Sequence, residues 1–155
     1  MFLTVHGSVG ALIGVATGNP LAAFVASGVS HFVLDAVPHG DEHLAIGIDR
    51  VSMIRRFTML AAVDGMLMTV VLALLLRPWN AMPSLAVLAG IVGGVLPDVV
   101  QGLSVVFPAN RPLERFRAFH DFCHLEIIRY ECSMVVGMIG QLCTLTAAAF
   151  LLRTM

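Results

Sequence analysis

Long apolar stretches alternate with short charged segments along this chain, and that pattern predicts a bundle of membrane helices. A helix needs about 20 mostly apolar residues to cross a bilayer, with a range of about 17–25. Five apolar stretches stand out: Phe2–Thr17, Leu21–Val37, Phe57–Leu76, Met82–Phe107 and Ser133–Leu152. The last three meet this length. The pattern predicts an all-α, polytopic membrane bundle of about five apolar helices, forming one domain over residues 1–155.

The first two stretches are shorter than the last three. They suit either thin or tilted spans or a re-entrant hairpin that turns at Gly18-Asn19-Pro20. Glycines also mark packing faces, because small residues let helices approach closely in lipid. They recur at Gly10, Gly14 and Gly18 in the first stretch and at Gly90, Gly93 and Gly94 in the fourth. Such faces suit an internal bundle or a dimer, so the oligomeric state stays open.

Composition and charge agree with a membrane location and orient the chain. Charged residues make up 12% of the sequence and hydrophobic residues 58%, whereas a soluble domain usually carries about 25% charged residues. Seven of the nine arginines lie in the segments that follow the second and fourth stretches. The positive-inside rule then predicts a multi-pass protein of the cytoplasmic (inner) membrane with a cytoplasmic N-terminus. The arginine-rich segment before the last stretch is predicted to be an interfacial helix on that side.

These properties also bear on partners. Membrane lipids are the expected partners, and no basic stripe predicts binding to nucleic acid. Three cysteines without paired spacing argue against a disulfide framework. Cys123 is a conceivable soft metal ligand, but a packing role is the favoured interpretation.

Several ionisable residues lie where an apolar helix should not carry them. Such residues cost about 2.5–3.5 kcal/mol each on insertion scales and are functional candidates by default. His31 and Asp35 are four residues apart, as are His120 and His124, so each pair shares one helix face. On the predicted topology both pairs fall in the cytoplasmic half, together with four further residues: His6, His39, Asp64 and Asp98. The arginine count, which sets the topology, did not require these residues to fall in the same half of the membrane. The topology and the positions of the ionisable residues are therefore separate arguments for one polar cluster.

Imidazoles and carboxylates at this spacing are a usual way for a helical bundle to present metal ligands. We predict one or two divalent ions, with Zn²⁺ favoured by the imidazole content and Mn²⁺ or Mg²⁺ as alternatives. The predicted ligands are His6, His31, Asp35, Asp98, His120 and His124. Asp64 and His39 are predicted to be catalytic, by moving protons or completing the ligand shell. His43 lies in a polar loop, where a solvated side chain is the favoured interpretation.

Each candidate also has a structural alternative. His31 and Asp35 could form a hydrogen-bonded pair within their helix, and Asp98 could cap or kink a helix end. Asp64 could pair with an arginine or with His6. We favour site roles for the residues deepest in the apolar stretches, because a buried charge there needs compensation.

Several of these residues stand in strings that resemble a known family. The strings are His6–Gly10, Ser30–His39 (SHFVLDAVPH), Gly94–Asp98 (GVLPD) and His120–His124 (HDFCH). Over roughly residues 3–126 the chain resembles the membrane-bound metal-dependent hydrolases. Members often carry a late H-R-G-x-x-H motif, and here one residue fewer separates the two histidines. The resemblance implies metal-dependent hydrolysis. A more distant similarity to zinc-dependent phospholipase C is analogy only.

The expected function is therefore metal-dependent hydrolysis at the cytoplasmic membrane face, on an amphiphile such as a lipid-linked phosphoester. Two alternatives stay open. HDFCH matches H-D-x-x-H, a variant of the H-E-x-x-H motif of metallopeptidases, in which Asp121 is one methylene shorter than Glu. A bundle that binds or transports metal without catalysis is the other, although the outer halves of the predicted spans carry almost no ionisable groups.

Overall fold

The computed structural model describes residues 1–40, 47, 49–76, 82–128, 130 and 132–155, and these are helical with short connections. Six α-helices follow one another in this part of the chain: α1 Leu3–Thr17, α2 Pro20–Asp35, α3 Arg50–Leu75, α4 Leu85–Val106, α5 Arg111–Asp121 and α6 Met134–Thr154. A π-helical segment, Phe122–Glu126, continues α5. The predicted all-α class is confirmed for the described residues.

Three of these helices are long and apolar enough to cross a membrane: α3, α4 and α6, with 26, 22 and 21 residues. Most of their apolar surface faces outward, and only 11% of the most apolar part of α3 is buried in the molecule. An outward surface this apolar needs lipid around it, because large exposed apolar patches are rare in water. The chain is therefore a helical membrane protein.

The first two helices are apolar but shorter, with 15 and 16 residues. At 1.5 Å per residue each is about 22–24 Å long, less than the ~30 Å hydrocarbon core. Five crossings are thus not confirmed. The turn between these helices lies where it was predicted: Gly18 ends α1 with φ of +60°, and Asn19 caps α2 by accepting a hydrogen bond from the Ala22 amide.

The third helix begins at Arg50, before the predicted start at Phe57. Asp49 caps it by accepting hydrogen bonds from two amides of the first turn. Arg55 and Arg56, which the sequence placed in a connecting loop, therefore lie on the helix. The Arg50 guanidinium donates hydrogen bonds to carbonyls in the last turn of α4 and so joins the two helices at this end.

Helix α1 lies at the centre and contacts α2, α3, α4 and α6. It meets α4 at glycines, since a Cβ on Gly10 or Gly14 would collide with the α4 backbone and a Cβ on Gly90 would collide with α1. Gly93 approaches the α2 backbone in the same way. These close approaches confirm the predicted packing faces. Gly18 is the exception, because a Cβ there would have no atom within 4 Å and the residue instead ends the helix.

Candidate metal centre

Helices α2, α4 and α5 bring four of the predicted metal ligands together. His31 and Asp35 lie one turn apart on α2, Asp98 lies on α4, and His120 lies in the last turn of α5. Each offers one ligand atom that lies within 4.8 Å of the ligand atoms of the other three. The glycine contacts of α4 with α1 and α2 allow this convergence, because they bring the α4 backbone close to His31.

The separations between these atoms fit the edges of a tetrahedral metal site. Nε2 of His31 lies 3.1 Å from Nε2 of His120 and 3.2 Å from Oδ2 of Asp35. Nε2 of His120 lies 3.4 Å from Oδ2 of Asp35. Oδ1 of Asp98 lies 3.8 Å from Nε2 of His31 and 3.7 Å from Nε2 of His120. Tetrahedral bonds of about 2.0–2.1 Å place ligand atoms about 3.3 Å apart, so the four side chains fit a divalent cation.

A hydrogen bond behind His31 determines which of its ring nitrogens faces the cluster. Nδ1 of His31 lies 2.9 Å from the carbonyl oxygen of Gly94. Because a carbonyl only accepts, Nδ1 donates to it, and Nε2 is the nitrogen that faces Asp35 and His120. Metal-ligating histidines usually donate their other ring N–H in this way.

Burial makes the charge of this cluster costly. The side chains of His31 and Asp35 are 0% and 2% exposed, and Asp98 is the most open of the four at 25%. The Met1 amino group lies 2.7 Å from Oδ1 of Asp35. Among the described residues, Asp98 contacts only histidines as ion-pair partners, and its Oδ2 has no hydrogen-bond donor. A buried carboxylate needs a nearby positive charge, which a metal cation would supply.

Asp35 also belongs to a second group of candidate ligands, with His39 and His124. Nδ1 of His124 lies 3.7 Å from Oδ2 of Asp35. His39 donates from Nδ1 to the Val37 carbonyl at 2.8 Å, and its Nε2 lies 2.7 Å from the Met1 amino group. A carboxylate shared by two ligand groups is a usual feature of two-metal sites.

The backbone around these histidines positions them. A Cβ on Gly137 of α6 would collide with the backbone of His39, so this glycine lets the segment after α2 approach α6. His124 lies in the π-helical segment, and its ring stacks on that of His120 with centroids 6.1 Å apart. His120 and His124, the predicted i, i+4 pair, thus both approach Oδ2 of Asp35 from the same side of their helical segment. The π-helix had no signal in the sequence, although such segments are frequent at functional sites.

His6, predicted as a ligand, contacts the cluster from behind. Its Nε2 lies 3.1 Å from Oδ1 of Asp35, and its ring centroid lies 4.1 Å from that of His31. It belongs to neither ligand group. The structure therefore places His6 as a partner that orients Asp35 toward the other histidines.

Asp64, predicted as catalytic, lies outside both ligand groups and caps α1. Its carboxylate accepts hydrogen bonds from the amides of Leu3 and Thr4, at 2.5 and 3.3 Å, and from the Thr4 hydroxyl. Gln141 of α6, a buried polar residue that the sequence analysis missed, accepts from the Phe2 amide at 2.8 Å. The first amides of a helix have no partner within it, and α1 has no side-chain cap of its own. Asp64 and Gln141 supply these acceptors from other helices.

We expect Asp64→Ala to destabilise the protein by about 1–3 kcal/mol, because it leaves amides of α1 without acceptors. Asp64→Asn retains one acceptor oxygen, so we expect it to lower the stability less than Asp64→Ala does. Thermal unfolding in detergent measures both variants. If Asp64→Asn instead unfolded like wild type but lost all activity, Asp64 would be a proton carrier rather than a cap.

Three other residues bear on the alternatives. Asp121 accepts a hydrogen bond from Gln101 at 2.8 Å and pairs with Arg117 at 3.5 Å, so its contacts do not favour a role as a metallopeptidase base. Burial and the negative charge of Asp35 raise the pKa of the Cys123 thiol. The protonated thiol is not the form that binds metal. His43 lies outside the described residues.

No protein-family model, curated protein or solved structure matches this chain. The resemblance to membrane-bound metal-dependent hydrolases stays a prediction. The chemistry of the centre is therefore argued from its own residues.

Proposed function

We propose that this protein is a membrane-embedded, metal-dependent hydrolase whose reaction centre is the cluster of His31, Asp35, Asp98 and His120. The observation that carries the proposal is the convergence of two imidazoles and two carboxylates, with five of their six separations between 3.1 and 3.8 Å. Two nitrogen and two oxygen donors suit Zn²⁺ well and also admit Mn²⁺. A second ion would share Asp35 with His39 and His124.

The membrane arrangement is part of the same proposal. Seven of the nine arginines lie in the segments that flank the cluster in sequence, so the positive-inside rule favours the cytoplasmic half of the inner membrane for the cluster. Helices α1 and α2 would then cross as short spans, with α1 at the centre of the bundle and α2 beside α1 and α4. A site at this depth favours an amphiphilic substrate, and we propose a lipid-linked phosphoester.

A divalent cation in this cluster would lower the pKa of a water molecule that it holds and would polarise an oxygen of the scissile group. The residues of the chain would orient the reactants and move the protons. Asp98 is best placed to accept a proton, because its buried Oδ2 has no hydrogen-bond donor among the described residues and its side chain as a whole is the most exposed of the four. His6 would hold Asp35 in place, and the Gly94 carbonyl would keep His31 in the required tautomer.

The test is hydrolysis of a fluorogenic phosphodiester with an acyl chain by the purified protein in detergent micelles. We expect a chelator to remove the activity and added Zn²⁺ to restore it. His120→Ala should lower the rate by about 100-fold or more, a usual effect of losing a group that acts on the reacting centre. Asp121→Asn is the matched control, since Asp121 is the next residue but bonds to Gln101 and Arg117.

The control also separates the alternatives. If Asp121→Asn lost peptidase activity on a membrane peptide while His120→Ala kept phosphodiesterase activity, the metallopeptidase would be favoured instead. Metal flux across liposomes without any hydrolysis would favour transport. A wild-type protein that held stoichiometric metal yet cleaved no phosphoester, carboxylic ester or peptide would overturn the proposal.

A further inference from the structure

An apolar groove runs along the outside of α2 and α4 and has a volume of about 260 Å³. Its lining residues on α2 lie on one helix face, because Phe24, Gly28 and Phe32 recur every four residues, as do Val25 and Val29 beside them. Between the first and last of them the groove follows α2 for about 12 Å, at 1.5 Å per residue. The residues that define its shape are Phe24, Gly28 and Phe32 of α2 and Gly93, Leu96 and Pro97 of α4.

One end of this groove adjoins the candidate metal centre. Phe32 follows His31 in sequence, and its ring centroid lies 5.2 Å from that of His31 and 5.9 Å from that of His120. Pro97 immediately precedes Asp98, the most exposed residue of the cluster. A molecule that reached the cluster past Asp98 would therefore have the groove beside it.

The surroundings of the groove indicate what fills it. It opens on the outward surface of α4, a helix long and apolar enough to cross a membrane, so it continues the surface that lipid covers. At the cluster end, Phe116 and Phe119 of α5 pack against Phe32, with centroids 6.4 and 5.1 Å away. Helix α5 also carries two exposed arginines, Arg111 and Arg115, that pair with no described residue. Such arginines attract anionic head groups.

We propose that the groove holds the hydrocarbon chain of a lipid whose phosphate head group lies at the cluster and is attracted by the arginines of α5. This inference rests on the proposed function and specifies its substrate class, a lipid with an anionic phosphate head. The groove holds the chain through apolar contact, and the head group brings the scissile bond to Asp98 and His120. Phe32 separates the two regions.

Gly28 offers a substitution that fills the groove without disturbing the helices. A Cβ at this position would meet only the Gly93 carbonyl oxygen, at an ordinary 3.7 Å, so a leucine side chain would extend into the groove. Gly65 of α3 is the matched control, because a Cβ there would have no atom within 4 Å. Val25→Phe, at an exposed position that also lines the groove, is a second variant should Gly28→Leu fail to fold.

The probe is a phosphatidic acid with a photoactivatable diazirine on its acyl chain, presented to the full-length protein in detergent micelles. We expect cross-links to residues of the groove, reduced about tenfold in Gly28→Leu, the factor expected when about two methylene groups lose their burial. Gly65→Leu should cross-link like wild type. A diacylglycerol with the same diazirine chain should cross-link several-fold less, because it lacks the phosphate.

This experiment does not depend on catalysis, so it separates the two proposals. Cross-linking in the groove by a protein that hydrolyses nothing would support the lipid site and overturn the hydrolase. Activity on the soluble head group alone, with cross-links spread evenly over α3, α4 and α6 in wild type and in Gly28→Leu alike, would overturn the lipid site. Equal labelling by phosphatidic acid and diacylglycerol would overturn the role of the head group.

Discussion

Replacing Asp35 with alanine is expected to remove bound metal from both ligand groups. Asp35 is the one residue that the two groups share, and its Oδ2 lies 3.2, 3.4 and 3.7 Å from His31, His120 and His124. Without Asp35, each group loses one of its ligands together with the negative charge of that carboxylate. We expect the metal content, measured by elemental analysis of detergent-purified protein, to fall at least about tenfold, since losing even an outer-shell partner of a ligand lowers metal affinity about 10–100-fold.

Two further variants make this result specific. His124→Ala should remove at most the second ion, because His124 is absent from the four-residue group. Asp121→Ala removes a nearby carboxylate that bonds elsewhere and should leave the metal content at the wild-type level. Circular dichroism of Asp35→Ala, and of Asp35→Asn, which keeps the side-chain shape, shows whether the helices persist in each variant. A folded Asp35→Ala protein with full metal content, or wild type without stoichiometric metal, would contradict the assignment.

Gly90→Val should both destabilise the bundle and weaken the metal centre. A Cβ at Gly90 would collide with the Gly10 carbonyl, which is backbone and cannot rotate away. Overpacking usually costs about 1–3 kcal/mol even where side chains can move, so we expect a loss at or above this range. A shift of α4 away from α1 would also change the distance between Asp98 and His31, because these residues lie on α4 and α2.

Gly102→Val on the same helix is the control, since a Cβ there would have no atom within 4 Å. Both substitutions change a helical glycine to the same β-branched residue, so their difference isolates the close approach. Thermal unfolding in detergent and metal content are the two measurements. Equal destabilisation by Gly90→Val and Gly102→Val would show that the contact between α1 and α4 is not decisive.

The local features of this protein follow from sequence alone. Apolar runs long enough for a bilayer identified α3, α4 and α6, and Gly18-Asn19-Pro20 marked the turn between α1 and α2, because span length and turn chemistry depend only on neighbouring residues. The i, i+4 pairs were equally accessible, since four residues complete about one helical turn. Helix ends were less predictable: α3 begins at Arg50 because Asp49 caps it, although the apolar run begins later.

Only the tertiary structure decided which polar residues meet. The sequence offered eight ionisable candidates at one predicted depth, but depth does not say which helices are neighbours. Packing at Gly10, Gly90 and Gly93 sets α4 against α1 and α2, and this brings His31 to Gly94 and His120, 63 and 89 positions away. The packing of α3 against α1 places Asp64 at the first amides of α1, and the packing of α1 against α2 places His6 beside Asp35. Hydrophobic patterning reports how deep a residue lies, whereas a site requires contacts between helices, which depend on side-chain shape at every interface.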